Sequence, residues 1–586
     1  MYLNTSNNNF DKKNKNHFYL SGKNIFSDLA SNKKVDINLE KFDDEIKNCF
    51  LVTIKLLKNS LNKIHNTNYP LGFWLILIGP WLLKFIDYTY YRFSEIENLK
   101  NLKLKLWTYV SDDYYTLEKF SDFYDLEQTD ELNFFIYSSI IINTNNEINK
   151  KYIDSKKLIK NLNLKKNIKN NKIFSIKSFL KYCYEYIKLK IVIKKYKLLN
   201  INLSLSKEDL ETLFKKLKTP LHSYNLVYSK KFNNSNLKIN KNNRKSYKLS
   251  IKNNSSDFIK LLNNIIFCYM PKEYLEDFNI NNEKAHKILD NNYLEQIYVR
   301  STYETKTHIR FILAQLKFQG KKIISTQEGG GLGVKSYNHN DLFFSSLLCD
   351  FYLTWGLTSR SFKNIIPTVC TKTFYHLNQK KNKDKILLIG GSFRKYHFSL
   401  YEGNPVSHNK TNILFIDNFL KLLPSPVKNI STFRLHNNYN YLEGDYLSQK
   451  HPIIKFSKRE SNDNFYNLLE KAKITICFSD YTANLQCLYF NIPVLFLWDK
   501  NTNSIRNDEK IYYKYLHDAG ILFYDHKKCI DKLKSILKNP TSWWKSQEVQ
   551  DARKFFIKRY INNDIDGLNK IIDFSQKMSQ SIKITK

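Results

Sequence analysis

From Asp257 onward, short apolar runs alternate with amphipathic stretches, and this alternation restricts the fold more than any other feature of the 586 residues. Strands separated by helices cannot pair as tight hairpins. They build a parallel sheet whose crossover helices cover its faces. The runs fall at 297–299, 322–326, 351–354, 385–389, 413–416, 475–479 and 494–498, with helices expected over 308–318 and 463–473. The stretch HLNQKKNKDK, residues 376–385, reads as a linker between two such series. The expected architecture is therefore α/β, with two Rossmann-like units.

The N-terminal half follows another pattern. Phe50, Ile54, Leu57 and Leu61 recur at helical spacing inside 40–66. The most apolar run, LGFWLILIGPWLL at 71–83, is shorter than the roughly 20 residues a bilayer demands, and Gly79-Pro80 interrupts it. It reads as a buried, kinked helix pair, with interfacial membrane insertion as the alternative. Lys and Asn dominate 143–172 and 228–256, which suits exposed loops or insertions, and 174–199 is a basic, aromatic packing helix. Five parts result: a largely helical 1–142, a Lys/Asn-rich 143–256, an N-terminal Rossmann-like unit 257–380, a C-terminal one 381–540, and closing helices 541–586 packing back across the units.

A formal charge of +38 suggests polyanions, but only eleven of the 93 basic residues are Arg. Lys lacks the fork that reads phosphates and bases bidentately, and the wealth of Lys, Asn, Ile and Tyr is what AT-rich codons produce. No specific nucleic-acid partner is expected; a polyanion-binding surface is the minor alternative. Eight scattered Cys without a C-x-x-C pair point to a reducing cytoplasm, and the polar start MYLNTSNNNF lacks a signal-peptide core.

Only 15 Gly occur, yet four lie within 329–333, directly after a strand, in IISTQEGGGLGVKS. Gly329, Gly330 and Gly331 can bring backbone N–H groups up to an anion and, with Gln327, are candidate donor-binding residues; Glu328 opens the loop beside Gln327, and a tight turn is the plain alternative. Glu328 is the candidate general base. In ITICFSDYTANLQCLYFNIPVLFLWD, residues 474–499, a strand ends at Ser479-Asp480, which supply N-cap chemistry to a short helix. Such a helix start after a parallel strand suits a diphosphate, making Ser479, Asp480, Tyr481, Thr482 and Gln486 candidate donor-binding residues. Arg394, after Gly390-Gly391, and Arg434 are candidate phosphate contacts, each with a surface ion pair as the plain alternative. Trp355 reads as packing.

The segments LNKIHNTNYPLGFWLILIGPWLLKFIDYTYYRF (61–93), MPKEYLEDF (270–278), ISTQEGGGLG (324–333), CDFYLTWGL (349–357) and 480–498 resemble, in this order, the signatures of the leptospiral-type transferase family, bacterial proteins associated with surface-polysaccharide synthesis. The resemblance implies a GT-B-like glycosyltransferase without metal or cofactor. The donor would be a nucleotide sugar held by the C-terminal unit, and the acceptor a glycan or lipid-linked molecule, at a cytoplasmic site in peripheral contact with the inner membrane surface. His65 matches a family His and joins Glu328 as a candidate catalytic residue, a core histidine being the plain alternative. Three positions depart from the pattern: Glu328 stands for His, Gln486 for Glu, and Leu75 for Arg. They motivate the alternative of a catalytically silent homologue that binds glycan or acts as a scaffold.

Overall fold

The computed structural model describes residues 2–4, 17–19, 25–29, 37–99, 107–144, 148–170, 176–201, 203, 205, 207–217, 237–300, 306–370, 377, 383–436, 441–457, 465–562 and 564–584. Most of the expected linker 376–385 lies outside them, as do residues 228–236 and most of the polar start.

Three parallel sheets organise these residues. A small sheet orders His17–Tyr19, Tyr2–Asn4, Trp107–Val110 and Asn149–Tyr152, three strands within a region the sequence marks as largely helical and the last within the Lys/Asn-rich stretch. A five-stranded sheet follows chain order: Leu198–Ile201, Gln296–Arg300, Lys322–Thr326, Phe351–Thr354 and Ile365–Pro367. Its first strand thus comes from before residue 257. The six-stranded sheet orders Lys455–Phe456, Ser431–Arg434, Lys385–Ile389, Ala472–Cys477, Val494–Leu497 and Leu522–Phe523. Numbered within the unit this is 3-2-1-4-5-6, the doubly wound order, and it reverses between Lys385–Ile389 and Ala472–Cys477. The two larger sheets belong to two Rossmann-like units in a GT-B-like pair.

Helix Leu39–His65 buries Phe50, Ile54, Leu57 and Leu61 as its spacing requires, and the Asn38 side chain accepts the Lys41 amide at its start. It packs against Leu71–Leu99, which is one continuous helix through Pro80 and not a pair. This helix has the length and apolarity to cross a membrane, but 83% of its apolar window is buried in the protein.

Other expectations need correction. Residues 413–416 are not a strand: they lie in helix Asn409–Leu422, where Ile413, Ile416, Phe419 and Leu420 bury one face. The Lys/Asn segment 143–172 forms the strand Asn149–Tyr152 and helix Lys156–Asn170, which buries Leu158 and Leu162. Helix Ile176–Lys195 matches expectation, but Leu198 and Leu199 beyond it are strand. At the C-terminus, Phe556 and Tyr560 join the core of the six-stranded unit, whereas Leu568, Ile571 and Ile572 pack with Tyr298, Ile324 and Leu353 of the five-stranded one.

Candidate active site between the two units

The glycine loop and the 479–482 segment meet. The Gly330 amide donates to Thr482 Oγ1 at 3.0 Å, joining the loop after Lys322–Thr326 to the first residue of helix Thr482–Tyr489. A Cβ on Gly330 would sit 2.7 Å from Leu485 Cδ1 and 3.1 Å from the Thr482 nitrogen. Gly331 has φ +84°, open to glycine at no cost. The cluster therefore serves close approach of the two units. The Gly330 N–H is already engaged by protein, which corrects its expected role as an anion donor. Gln327 shapes the same loop, donating to the Gly329 carbonyl at 2.8 Å and accepting the Trp355 amide at 2.9 Å.

Ser479 and Asp480 do not cap the helix. Tyr481 occupies the cap position without a side-chain cap bond, and Asp480 turns inward, accepting from Tyr513 at 2.8 Å with Lys335 Nζ at 3.5 Å. A buried phenol and ammonium offer this carboxylate more than a helix end open to solvent.

Two cavities adjoin this contact. The larger, about 440 Å³, opens at the reversal point of the six-stranded sheet. Gly390, Gly391 and Arg394 from the loop after Lys385–Ile389, Arg434 at the end of its neighbouring strand, and Ser479, Thr482 and Gln486 all line it. Register fixes the spacing of the basic groups: Ile389 pairs with Arg434, and the Gly390 amide donates to the Arg434 carbonyl at 3.1 Å. Arg434 lies over the Phe465 ring at 4.6 Å and has no carboxylate partner among the described residues. Arg394 lies over Phe398 at 4.4 Å, with Glu402 at 3.8 Å and Glu127 at 3.9 Å. Gln486 donates to the Tyr466 hydroxyl at 3.0 Å.

The smaller cavity, about 180 Å³, shares Glu402, Gly403 and Tyr481 with the larger and reaches Gly330, Gly331, Lys335, Tyr337, Asp341 and Asp480. Burial alone would raise the Glu402 carboxyl, but the Lys84 and Arg394 cations outweigh it and hold it below its ordinary range. Burial dominates at Asp341 and lifts it to about 7; Asp43 and Glu402 push the same way, against Lys84 and a bond from the Gly333 amide. Burial also lowers Lys335, against the pull of Asp480.

Polar residues anchor the 390–404 loop in the N-terminal helices. Asp87 takes His397 Nε2 and the Leu400 amide, both at 2.7 Å, while Arg92 donates to the His397 carbonyl at 3.1 Å. Tyr401 donates to Asp43 at 2.5 Å, and Lys84 pairs with Glu402. Phe398 and Leu400 complete the apolar seal as members of the N-terminal core.

Of the candidate residues, the structure brings Gly330, Gly331, Arg394, Arg434, Ser479, Asp480, Thr482 and Gln486 together around the two cavities. Gly329 approaches Thr482 from the side. Glu328 is half-buried and lines neither cavity. His65 is remote from both: it stacks on Phe278 with ring centres 4.1 Å apart, its Nε2 lies 3.0 Å from the Tyr274 carbonyl, and burial pushes it down to about 4. Sequence reasoning missed Lys84, Asp341 and Glu402. A lone Lys inside the apolar helix is the signal that pointed to one of them.

Fold and site define a two-unit α/β protein of parallel sheets, with a charged crevice where the second unit reverses its strand order. The chain belongs to the LIC12162 family transferases, whose family model matches residues 10–573. No curated protein sequence matches. Among solved structures it is similar to TarM (10% identity, TM-score 0.31, 53% of this chain and 58% of that one). It is also similar to WaaG, a glycosyltransferase involved in lipopolysaccharide biosynthesis (11%, 0.28, 51% and 95%), and to the UDP-GlcNAc 2-epimerase from Neisseria meningitidis (13%, 0.33, 67% and 97%).

Proposed function

We propose that this transferase moves a sugar from a nucleotide-activated donor to a surface-glycan or lipid-linked acceptor. The observation that carries the reading is the cationic crevice at the strand-order reversal, the place where open α/β sheets take their ligands. Arg394 and Arg434 face the donor diphosphate, the start of helix Thr482–Tyr489 and the Ser479 and Thr482 hydroxyls add donors, and the Gln486 amide meets the ribose. As the bond to the sugar breaks, charge grows on the leaving diphosphate, and the two guanidinium groups stabilise it without a resident metal ion or cofactor. Turnover is accordingly indifferent to chelators.

The acceptor side favours work at the cytoplasmic face of the inner membrane. Leu180, Tyr184, Ile187 and Ile191 form an exposed stripe at helical spacing on Ile176–Lys195, a helix with six Lys and one Glu, which suits an anionic lipid surface. Calorimetry with UDP, GDP, CDP and ADP tests the donor assignment. At least one binds, and Arg434→Ala weakens it by about 1.5–3 kcal/mol, the worth of a hydrogen bond to a charged group. Indifference to all four nucleotides overturns the reading.

A further inference from the structure

Three carboxylates line the smaller cavity, and two are committed elsewhere. Glu402 is neutralised by Lys84 and Arg394, and Asp480 by Lys335 and the Tyr513 hydroxyl. Asp341, the first residue of helix Asp341–Leu347, has no ion pair among the described residues, and the Gly333 amide near it is the smallest of the influences on its carboxyl. The charged and titratable groups around it are Lys84, Asp43 and Glu402 nearest, with Lys335, Tyr337, Tyr401 and Asp480 on the rest of the cavity wall. The cavity joins the larger one across Glu402, Gly403 and Tyr481. An acceptor there lies next to a donor in the crevice.

We propose that Asp341 is the catalytic base that takes the proton from the attacking acceptor hydroxyl, an assignment that rests on the sugar-transfer reading above. In the step, the acceptor oxygen bonds to the anomeric carbon while that carbon's bond to the donor phosphate breaks, and its electron pair leaves with the diphosphate. The hydroxyl proton passes to Asp341 and then to water. Attack from the side opposite the leaving group inverts the anomeric carbon. A base must be unprotonated at the working pH yet hold the proton once taken, and a carboxyl raised to about 7 does both. Glu328, outside both cavities, has no such access.

The test uses the full chain with UDP-GlcNAc and other nucleoside diphosphate sugars, following diphosphate release between about pH 5 and about pH 9. Asp341→Asn lowers turnover by about 10²–10⁴-fold, leaves UDP affinity in calorimetry unchanged, and abolishes the rise of rate through about pH 7; Asp341→Glu restores part of it. A second readout needs no turnover. A raised folded pKa means that stability falls as pH rises from about 4 to about 7, so the decline in Tm over that range is shallower in Asp341→Asn than in the wild type, Asp43 and Glu127, also raised by burial, supplying the rest. Equal Tm slopes, an unaltered rate profile in Asp341→Asn, or transfer of the whole rate loss to Glu328→Gln overturns the assignment. A wild-type chain that binds no nucleoside diphosphate instead defeats sugar transfer itself.

Discussion

The two cavities share a wall and differ in the sign of their charge. The larger takes its cations, Arg394 and Arg434, from strand ends and loops of the six-stranded unit. The smaller takes Asp341 and Lys335 from the other unit, with Asp480 and Glu402 reaching in from across the contact. Ion pairs at the wall keep the two characters apart, because Lys84 and Arg394 cancel Glu402 where the cavities meet. On the sugar-transfer reading proposed above, one side suits a charged leaving group and the other an uncharged hydroxyl that must lose a proton. The difference teaches that, on this reading, the units divide the chemistry as well as the binding.

Three substitutions break or sharpen that contrast. The largest effect belongs to Gly330→Ala, which drives a Cβ into Leu485 and the backbone of Thr482. It costs about 2–3 kcal/mol in thermal unfolding, as overpacking does, and weakens nucleotide binding at least about tenfold because both cavities lose their common seam. A stability and affinity equal to wild type would show that the units do not meet here. Next comes Lys84→Met, which frees Glu402 from its cation. The loss is about 1–2 kcal/mol near neutral pH, below that of a fully buried pair because the Glu402 side chain is 36% exposed. A lowered carboxyl contributes stability above its unfolded pKa of about 4.5 that is lost as pH falls through the folded value; the gap between wild type and Lys84→Met therefore narrows toward acid. A gap independent of pH would separate Lys84 from Glu402. The smallest effect is Thr482→Val, which leaves the Gly330 amide without its acceptor and costs about 1 kcal/mol in urea titration.

The parallel-sheet plan was legible because burial on both faces leaves short apolar runs, and seven were read. Residues 413–416 show the limit: four apolar residues in a row suit a strand or a buried helix face equally, and only Phe419 and Leu420 farther on settle it. Leu198 and Leu199 hid as the tail of a helix for the same reason. At the site, local chemistry marked the glycine loop and 479–482 separately, and the fold brings them together. The use of those glycines was not, since close packing and anion cradling demand the same absence of Cβ. Asp341 was invisible because what raises it comes from burial and from Asp43 and Glu402, distant in the chain. His65 misled in the opposite direction: its stacking partner Phe278 is more than two hundred positions away.

The anchoring of 390–404 restricts how this enzyme can breathe. Swinging the lobes apart as rigid jaws would extract His397, Phe398 and Leu400 from the helical body and strip Asp87 of both its donors. At the rim shared by the two cavities the Tyr481 hydroxyl donates to Asn404 Oδ1 at 2.9 Å, so the same loop is also tied to the start of helix Thr482–Tyr489.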